Sequence, residues 1–329
     1  MSDGQRQIEW LLANAERIQL QVTPYDWKLP FATDLVDCRT YITLGEQTVR
    51  GRASDNTEEL AFLKSFCEAL ERIVFDRSEY DSSNGFAAHS TESDAIDRAQ
   101  RELIERDRFL SHFLSQMPFF KPSINLSSVD FDSNILNYFL KKGFNLQLSE
   151  MRKTKDLYSF IFLVHGLNAV NPKGLCFGLG CNADPLVAAR SAVMEALRHG
   201  IYLLNTDVID SLTEDEFNKL SHFTPPDHQK LAFDLNYARE IVPYLFRQED
   251  TVANIPEDLS ARAFHSEILP LPVEMNDAPF AVAKAIAPGL SPLFFGPTTQ
   301  ANVNLNRLSQ FTGRTITWDQ VYKKIHPIA

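Results

Sequence analysis

Apolar side chains between residues 57 and 75 fall at Leu60, Leu63, Cys67, Leu70 and Val74, the three-and-four spacing that a helix gathers onto one face. Ser54, Asp55 and Asn56 precede them as candidate caps. The same rhythm returns over residues 91–113, with Ala95, Ala99, Leu103 and Leu110 inward, after the turn signal Ser82-Ser83-Asn84-Gly85. A third long helix is predicted after Asp184-Pro185, through LVAARSAVMEALRHGIYLL, because proline suits a first helical turn. Shorter helices are expected over 7–18 and from 135 to Gly143. Strands are predicted at 37–44, from Ser159 through SFIFLVHGL, and over LCFGLGC at 175–181. From 206 to 258 the chain is charged and helix-rich. Beyond it Pro270, Pro272, Pro279, Pro288, Pro292 and Pro297 cut the tail into short strands and loops.

The pattern predicts a mixed α/β (α+β) fold. With no linker or low-complexity tract, a single domain is expected: residues 1–45 as an opening helix and strand, then 46–329 as the main body, with a peripheral helical insertion at about 206–258. A chain of 329 residues that is 44% apolar can bury a full core without disulfides. Its formal charge of −11 argues against binding a nucleic-acid backbone. No run of eighteen apolar residues occurs and the opening segment is polar, so neither a membrane span nor an export signal is expected. Cys38, Cys67, Cys176 and Cys181 lack metal-ligand spacing and read as free thiols of a reducing, cytoplasmic environment.

The usual chemical signatures are missing. There is no phosphate-cradling glycine loop, no His-Glu-x-x-His and no G-x-S-x-G. The eight histidines, among them His89, His112, His165, His199 and His228, are scattered and read as hydrogen-bonded or surface residues. What does stand out is Glu-x-x-Glu-Arg, written twice: Glu68, Glu71 and Arg72, then Glu102, Glu105 and Arg106. On a helix the two glutamates of each pentad share a face, about 5–6 Å apart at Cβ. If the forks meet, each like-charged pair at about 4 Å repels by roughly 4 kcal/mol at an effective dielectric near 20. Such a cluster calls for counter-charge, and Mg2+, a hard ion that takes carboxylate oxygens and bridges to polyphosphate, supplies it. The plain alternative is a solvated helix face, where Glu and Arg support helicity.

Around these pentads the chain resembles the YcaO family over roughly residues 46–298. Lys64-Ser-Phe-Cys-Glu68-Ala-Leu-Glu71-Arg72 looks like its first motif. The segment from Ser83-Asn84-Gly85 to Asp94 resembles its asparagine-glycine loop, and Glu102 to Asp107 its second glutamate motif. Gly178 to Pro185, continuing through Arg190 and Glu195, is similar to a later strand-to-helix segment. The resemblance implies a YcaO-like fold in which long helices line a central Mg·ATP cleft backed by sheet. It further implies an enzyme that uses ATP and Mg2+ to phosphorylate a backbone amide oxygen of a ribosomally made precursor peptide, yielding an azoline, thioamide or amidine. By the same resemblance Glu68, Glu71, Glu102 and Glu105 are metal ligands, while Lys64, Arg72, Asp94, Arg98, Arg106 and Arg190 lie at the nucleotide. A separate E1-like or other leader-peptide-binding protein is the implied partner, in a homo- or hetero-oligomer.

The chain also departs from the family pattern. Lys64 and Ala87 replace serines, Asp94 a glutamate and Arg98 a glutamine, and the tail ends Lys324-Ile-His326-Pro327 rather than in a Pro-x-Pro-x-Pro segment. Lying four residues from both Asp94 and Glu102, Arg98 is placed to compete with Mg2+ or to bind phosphate. The alternative function is a catalytically degenerate YcaO-like scaffold that binds a partner protein or peptide.

Overall fold

The computed structural model describes residues 2–259 and 263–328. Its contacts divide the chain into two compact units, one of residues 1–103 and 264–287, the other of 104–263 and 288–329.

In the first unit, α1 (Asp3–Ala13) is followed by β1 (Gln21–Pro24), β2 (Val36–Leu44) and β3 (Gln47–Asp55), which form an antiparallel sheet in that order. Gly45, at φ 63°, turns β2 into β3. α2 (Glu58–Asp76) then lies on this sheet, capped by Thr57, whose hydroxyl accepts the Leu60 amide. Contact is close: a Cβ on Gly51 of β3 would sit 1.9 Å from the Ser65 carbonyl oxygen of α2. That contact fixes the rotation of the helix. Phe66, Ala69, Leu70 and Ile73 are buried, whereas Leu60, expected inward, is 45% exposed and Cys67 only half-buried. Each large buried side chain here contributes roughly 1.5–3 kcal/mol. The helix expected at 7–18 also differs. Ser2 caps it at Gln5, so it starts earlier and ends at Ala13, leaving Ile18 to enter the core from a loop.

β4 (Phe86–His89) leaves the Asn84-Gly85 turn, where Gly85 has φ 79°. α3 (Glu92–Ser115) follows; its residues to Leu103 belong to the first unit and the rest to the second. As expected, Ala95, Ala99, Leu103 and Leu110 of α3 are buried.

The second unit adds β5 (Phe119–Phe120), α4 (Ser133–Lys141), β6 (Asn145–Glu150), β7 (Tyr158–His165), β8 (Leu175–Asn182) and α5 (Pro185–Asn205). Asp184 caps α5 and Pro185 opens it, as predicted. Next come α6 (Glu214–Phe217), α7 (Pro225–Phe233), α8 (Leu235–Leu245) and β9 (Gln248–Glu249). The sheet runs β8-β7-β6-β5-β9. The stretch 206–258 is helical as expected but not peripheral: Phe217, Leu231, Tyr237, Ile241 and Leu245 are buried in the core with Phe109, Phe113 and Ile161.

β10 (His265–Leu269) and β11 (Ala281–Ile286) return to the first unit as an antiparallel sheet ordered β10-β11-β4. α9 (Leu305–Thr312) and a buried tail, including Ile325 and Ile328, complete the second unit.

Each unit contains the same local plan. The series α1-β1-β2-β3-α2 recurs as α4-β6-β7-β8-α5, with matching antiparallel pairings. The close approach recurs too, since a Cβ on Gly178 would meet the Ala192 carbonyl oxygen at 2.2 Å. Gly51 and Ser65 correspond to Gly178 and Ala192, and the caps Thr57 and Asp184 keep that offset of 127 residues.

Two expectations follow for stability. Gly178→Ala should destabilise the protein by about 1–3 kcal/mol in urea titration, through overpacking; an unchanged midpoint would contradict the strand-helix contact. His112 donates from Nδ1 to the Met117 carbonyl and accepts the Arg152 amide at Nε2; His228 donates to the His326 carbonyl and accepts the Gly296 amide. Burial lowers their pKa values to about 3 and about 4. The unfolded chain therefore binds more protons below about pH 6.5, and stability should fall steadily from there towards pH 4. Denaturant midpoints measured across that interval check this, and a flat profile would exclude it.

Candidate functional site

α2 is packed on β3 at Gly51, and this carries Glu68 to the strand's outer edge. There its Oε2 accepts the Arg52 backbone N–H at 3.0 Å, while Oε1 pairs with Arg72 at 2.7 Å. One turn on, Glu71 Oε1 accepts the Ala88 N–H of β4 at 2.8 Å. β3 and β4 are outer strands of their sheets, so both carboxylates accept from amide groups at a sheet edge. Bonds of this kind hold each glutamate in a defined direction and strengthen when the carboxyl is ionised.

Burial raises the pKa of Glu71 to about 8, and the charges of Glu102 and Glu68 add to it. Arg98 and the Ala88 amide oppose that rise without cancelling it. Glu68 and Glu102 thus lie near enough to Glu71 in the first unit for their charges to bear on it, with burial the larger influence and Arg98 the opposing one. Burial likewise pushes the neighbouring Cys67 thiol up to about 12, which removes it as a nucleophile. Lys284 on β11 is buried and held by the Ser82 and Asn84 carbonyls; burial lowers its pKa although Glu102 raises it.

The other first-unit residues singled out by sequence sit as follows. Lys64 is paired with the buried Asp55. Asp94, in the first turn of α3, accepts the Thr91 hydroxyl at 2.8 Å and lies 3.5 Å from His89. Arg98 is exposed, and its charge bears on Glu71, Cys67 and His89.

In the second unit, Glu105 and Arg106 approach to 4.0 Å, and Arg190 donates from Nε to the Asp130 carbonyl at 3.1 Å. A cavity of about 20 Å³ is lined by Arg106, Glu195, His199, Pro327 and Ile328, among others. Glu195 accepts the Leu179 N–H of β8 at 2.6 Å, as its counterpart Glu68 does on β3. Glu195 belongs to the strand-to-helix segment of the family resemblance but has no role in it. Its signal was the shared order of strand glycine and helix glutamate, Gly51 with Glu68 and Gly178 with Glu195. A larger groove of about 640 Å³, beside Val74, Tyr80, Glu267 and Pro270, contains none of the candidate residues.

Among the described residues no group of three or more His, Cys, Asp or Glu side chains is already set to hold a metal ion. The donor chemistry nonetheless fits Mg2+. Carboxylate oxygens are its preferred protein ligands, and a divalent ion would favour the ionised form of Glu71 that burial disfavours.

The family model for YcaO cyclodehydratases, described as ATP- and Mg2+-binding, matches residues 76–291, about two thirds of the chain. Glu102, Glu105, Arg106 and Arg190 lie inside that stretch; Glu68 and Glu71 precede it. No curated protein matches the sequence. Among solved structures, a heterocyclase in complex with substrate and cofactor superimposes over 100% of this chain with a TM-score of 0.67 at 13% identity. The chain spans 57% of that heterocyclase's length. YcaO from Methanopyrus kandleri, bound with AMPPCP and Mg2+, gives a TM-score of 0.57 at 11% identity over 92% of this chain and 96% of its own. A chain of the E. coli microcin synthetase McbBCD complex gives 0.54 at 10% identity, over 82% and 88%. At such identities the likeness is one of fold, and it bears out the mixed α/β architecture expected from the sequence.

The raised pKa of Glu71 has a signed consequence. A carboxyl that binds its proton more tightly when folded stabilises the fold at low pH and loses that contribution as pH rises from about 4.5 through about 8. Without added metal, Glu71→Gln should be more stable than the parent at pH 9 by at least about 1 kcal/mol, with little difference at pH 5. Equal urea midpoints at both values would show that burial does not hold a proton on Glu71 in the folded chain.

Proposed function

As a member of the YcaO family of ATP- and Mg2+-binding cyclodehydratases, the chain, we propose, uses ATP and Mg2+ to activate a backbone amide of a ribosomally synthesised precursor peptide. The product of the proposed reaction is an azoline, thioamide or amidine. The observation that carries this reading is Glu71, held near pKa 8 by burial, with the charges of Glu102 and Glu68 adding to the rise and Arg98 opposing it.

Glu68, Glu71, Glu102 and Glu105 are the proposed metal ligands. Lys64, Arg72, Asp94, Arg98, Arg106 and Arg190 are the proposed nucleotide-contacting residues. Mg·ATP, when bound, supplies the phosphoryl group that turns a poor leaving group, the amide oxygen, into a good one. The chain's own contribution is preorganisation. The amides of Arg52 and Ala88 fix Glu68 and Glu71 in advance, so little reorganisation is left for the binding step. With its thiol at about 12, Cys67 offers no nucleophile, consistent with an attacking group that comes from the peptide or a donor. A leader-peptide-binding protein, E1-like or otherwise, is the proposed partner. The proposed compartment is the cytosol, in keeping with four free cysteines and with no helix of the described residues long and apolar enough to cross a membrane.

One observation favours a second reading. The charge of Arg98 already bears on Glu71, partly doing what a metal ion would do there, as expected of a degenerate scaffold that binds a partner without turning over nucleotide. Calorimetry with ATP and Mg2+ separates the two readings. Micromolar, Mg2+-dependent binding is expected of the enzyme, and absence of binding would leave the scaffold. Glu102→Gln and Glu105→Gln should each abolish ATP turnover with an unchanged circular dichroism spectrum; retained turnover would remove these residues from the metal site. Arg98→Gln should shift the Mg2+ titration curve, and a superimposable curve would place Arg98 away from the site.

A further inference from the structure

Immediately beyond the second pentad, α3 turns from half-buried charge to fully buried charge. Asp107, Arg108 and Arg307 are at most 1% exposed, yet all three carry ionisable groups. Arg307, on α9, reaches Asp107 through Nε at 2.7 Å and Nη2 at 2.6 Å. Its Nη1 reaches Glu257 at 2.7 Å, and Arg108 meets the same carboxylate at 2.6 Å. Asp107 also accepts the Ser291 backbone N–H at 2.8 Å. Burial pushes the pKa of Glu257 up, but the hydrogen bonds and charges of the two arginines outweigh it and hold the group at about 2. The backbone of Glu257 is itself pinned, donating to the Lys153 carbonyl and accepting the Lys155 amide.

Placing charges out of water is costly, and apolar side chains of similar volume often serve stability as well or better. The neighbouring stripe of Phe109, Leu110 and Phe113 already supplies burial. Apolar packing, however, is non-directional and tolerates small rotations of a helix about its axis. Bidentate guanidinium-carboxylate pairs do not. On α3 each residue is turned about 100° from the last, so fixing the directions of Asp107 and Arg108 fixes those of Glu105 and Arg106. A 20° roll would swing side-chain tips at this radius by about 2 Å, and misplacement on the scale of 1 Å is enough to cost about a hundredfold in a catalytic site.

We propose that the buried quartet of Asp107, Arg307, Glu257 and Arg108 is a positioning device that locks the rotation of α3 and thereby aims Glu105 and Arg106. The assignment rests on the reading of those two residues as nucleotide- and metal-site groups. It adds that residues far along the chain, on α9 and in the 250s, govern nucleotide affinity without touching the nucleotide.

The discriminating variant replaces the whole quartet by apolar residues: Asp107→Leu, Arg108→Met, Glu257→Leu and Arg307→Met in the full-length chain. The variant should fold with a thermal midpoint within a few degrees of the parent, while its Kd for Mg·ATP rises at least tenfold. Backbone amide exchange at residues 104–107 should accelerate relative to 109–113. A folded quadruple variant with parental affinity and parental exchange overturns the proposal. If that variant does not fold, Arg307→Lys serves instead, because an ammonium cannot bridge both carboxylates as a guanidinium fork does. A positioning role predicts weaker Mg·ATP binding by the folded Arg307→Lys protein, whereas a lowered midpoint with unchanged Kd means a merely structural one and overturns the proposal. Should the parent bind no Mg·ATP, the functional reading fails and the exchange measurement alone decides: faster exchange at 104–107 sustains the lock, and unchanged protection overturns it.

Discussion

An outer strand exposes backbone N–H groups that must find an acceptor, and in this protein glutamates on helices provide it. Glu68 accepts from Arg52 on β3, Glu71 from Ala88 on β4 and Glu195 from Leu179 on β8. Each bond satisfies a sheet edge that would otherwise invite pairing with another chain, and it anchors a carboxylate on a rigid support. Stability and function thus draw on the same groups. The tension appears at Glu71, where burial, with the charges of Glu102 and Glu68 adding to it, keeps a proton on a group that the proposed metal site would need ionised. An apo protein of this kind is expected to hold its acids partly neutral, with the metal ion and the proton competing for one place.

The duplicated plan sharpens this view. Glu68 and Glu195 occupy equivalent positions against equivalent strands, but the positions of Glu71 and Arg72 are taken in the second unit by Arg198 and His199. One copy therefore concentrates negative charge, whereas the other mixes a carboxylate with cationic or protonatable groups.

The long helices and the strands from 37 to 44 and from 158 onward were legible in the sequence, because a 3.6-residue period and apolar runs report directly on burial. The rotation of α2 was not. Its buried face is chosen by the Gly51 contact with Ser65, a long-range event that displaced Leu60 outward and drew Phe66 and Ile73 in. The helical stretch after 206 looked peripheral because its charges are conspicuous, yet single residues such as Phe217, Tyr237 and Leu245 place it in the core. Of the candidate site, the paired pentads could be read from spacing alone. Their 34-residue separation falls on α2 and α3, however, while the structural repeat runs at 127 residues, too diverged to be recognised without the fold. The role of Glu195 was hidden for that reason. So was the quartet on Asp107, whose members are up to 200 residues apart.

The interleaving of the two units bears on how the chain is made. β4 emerges early from the ribosome, but its sheet neighbour β11 is not synthesised until residues 281–286. Between the two, most of the second unit has already appeared, itself lacking α9 and the buried tail. Neither half is complete until nearly the whole polypeptide is out, and meanwhile β4 lacks its only sheet neighbour among the described strands. The connectivity therefore makes the last steps of folding depend on contacts between segments far apart in the chain.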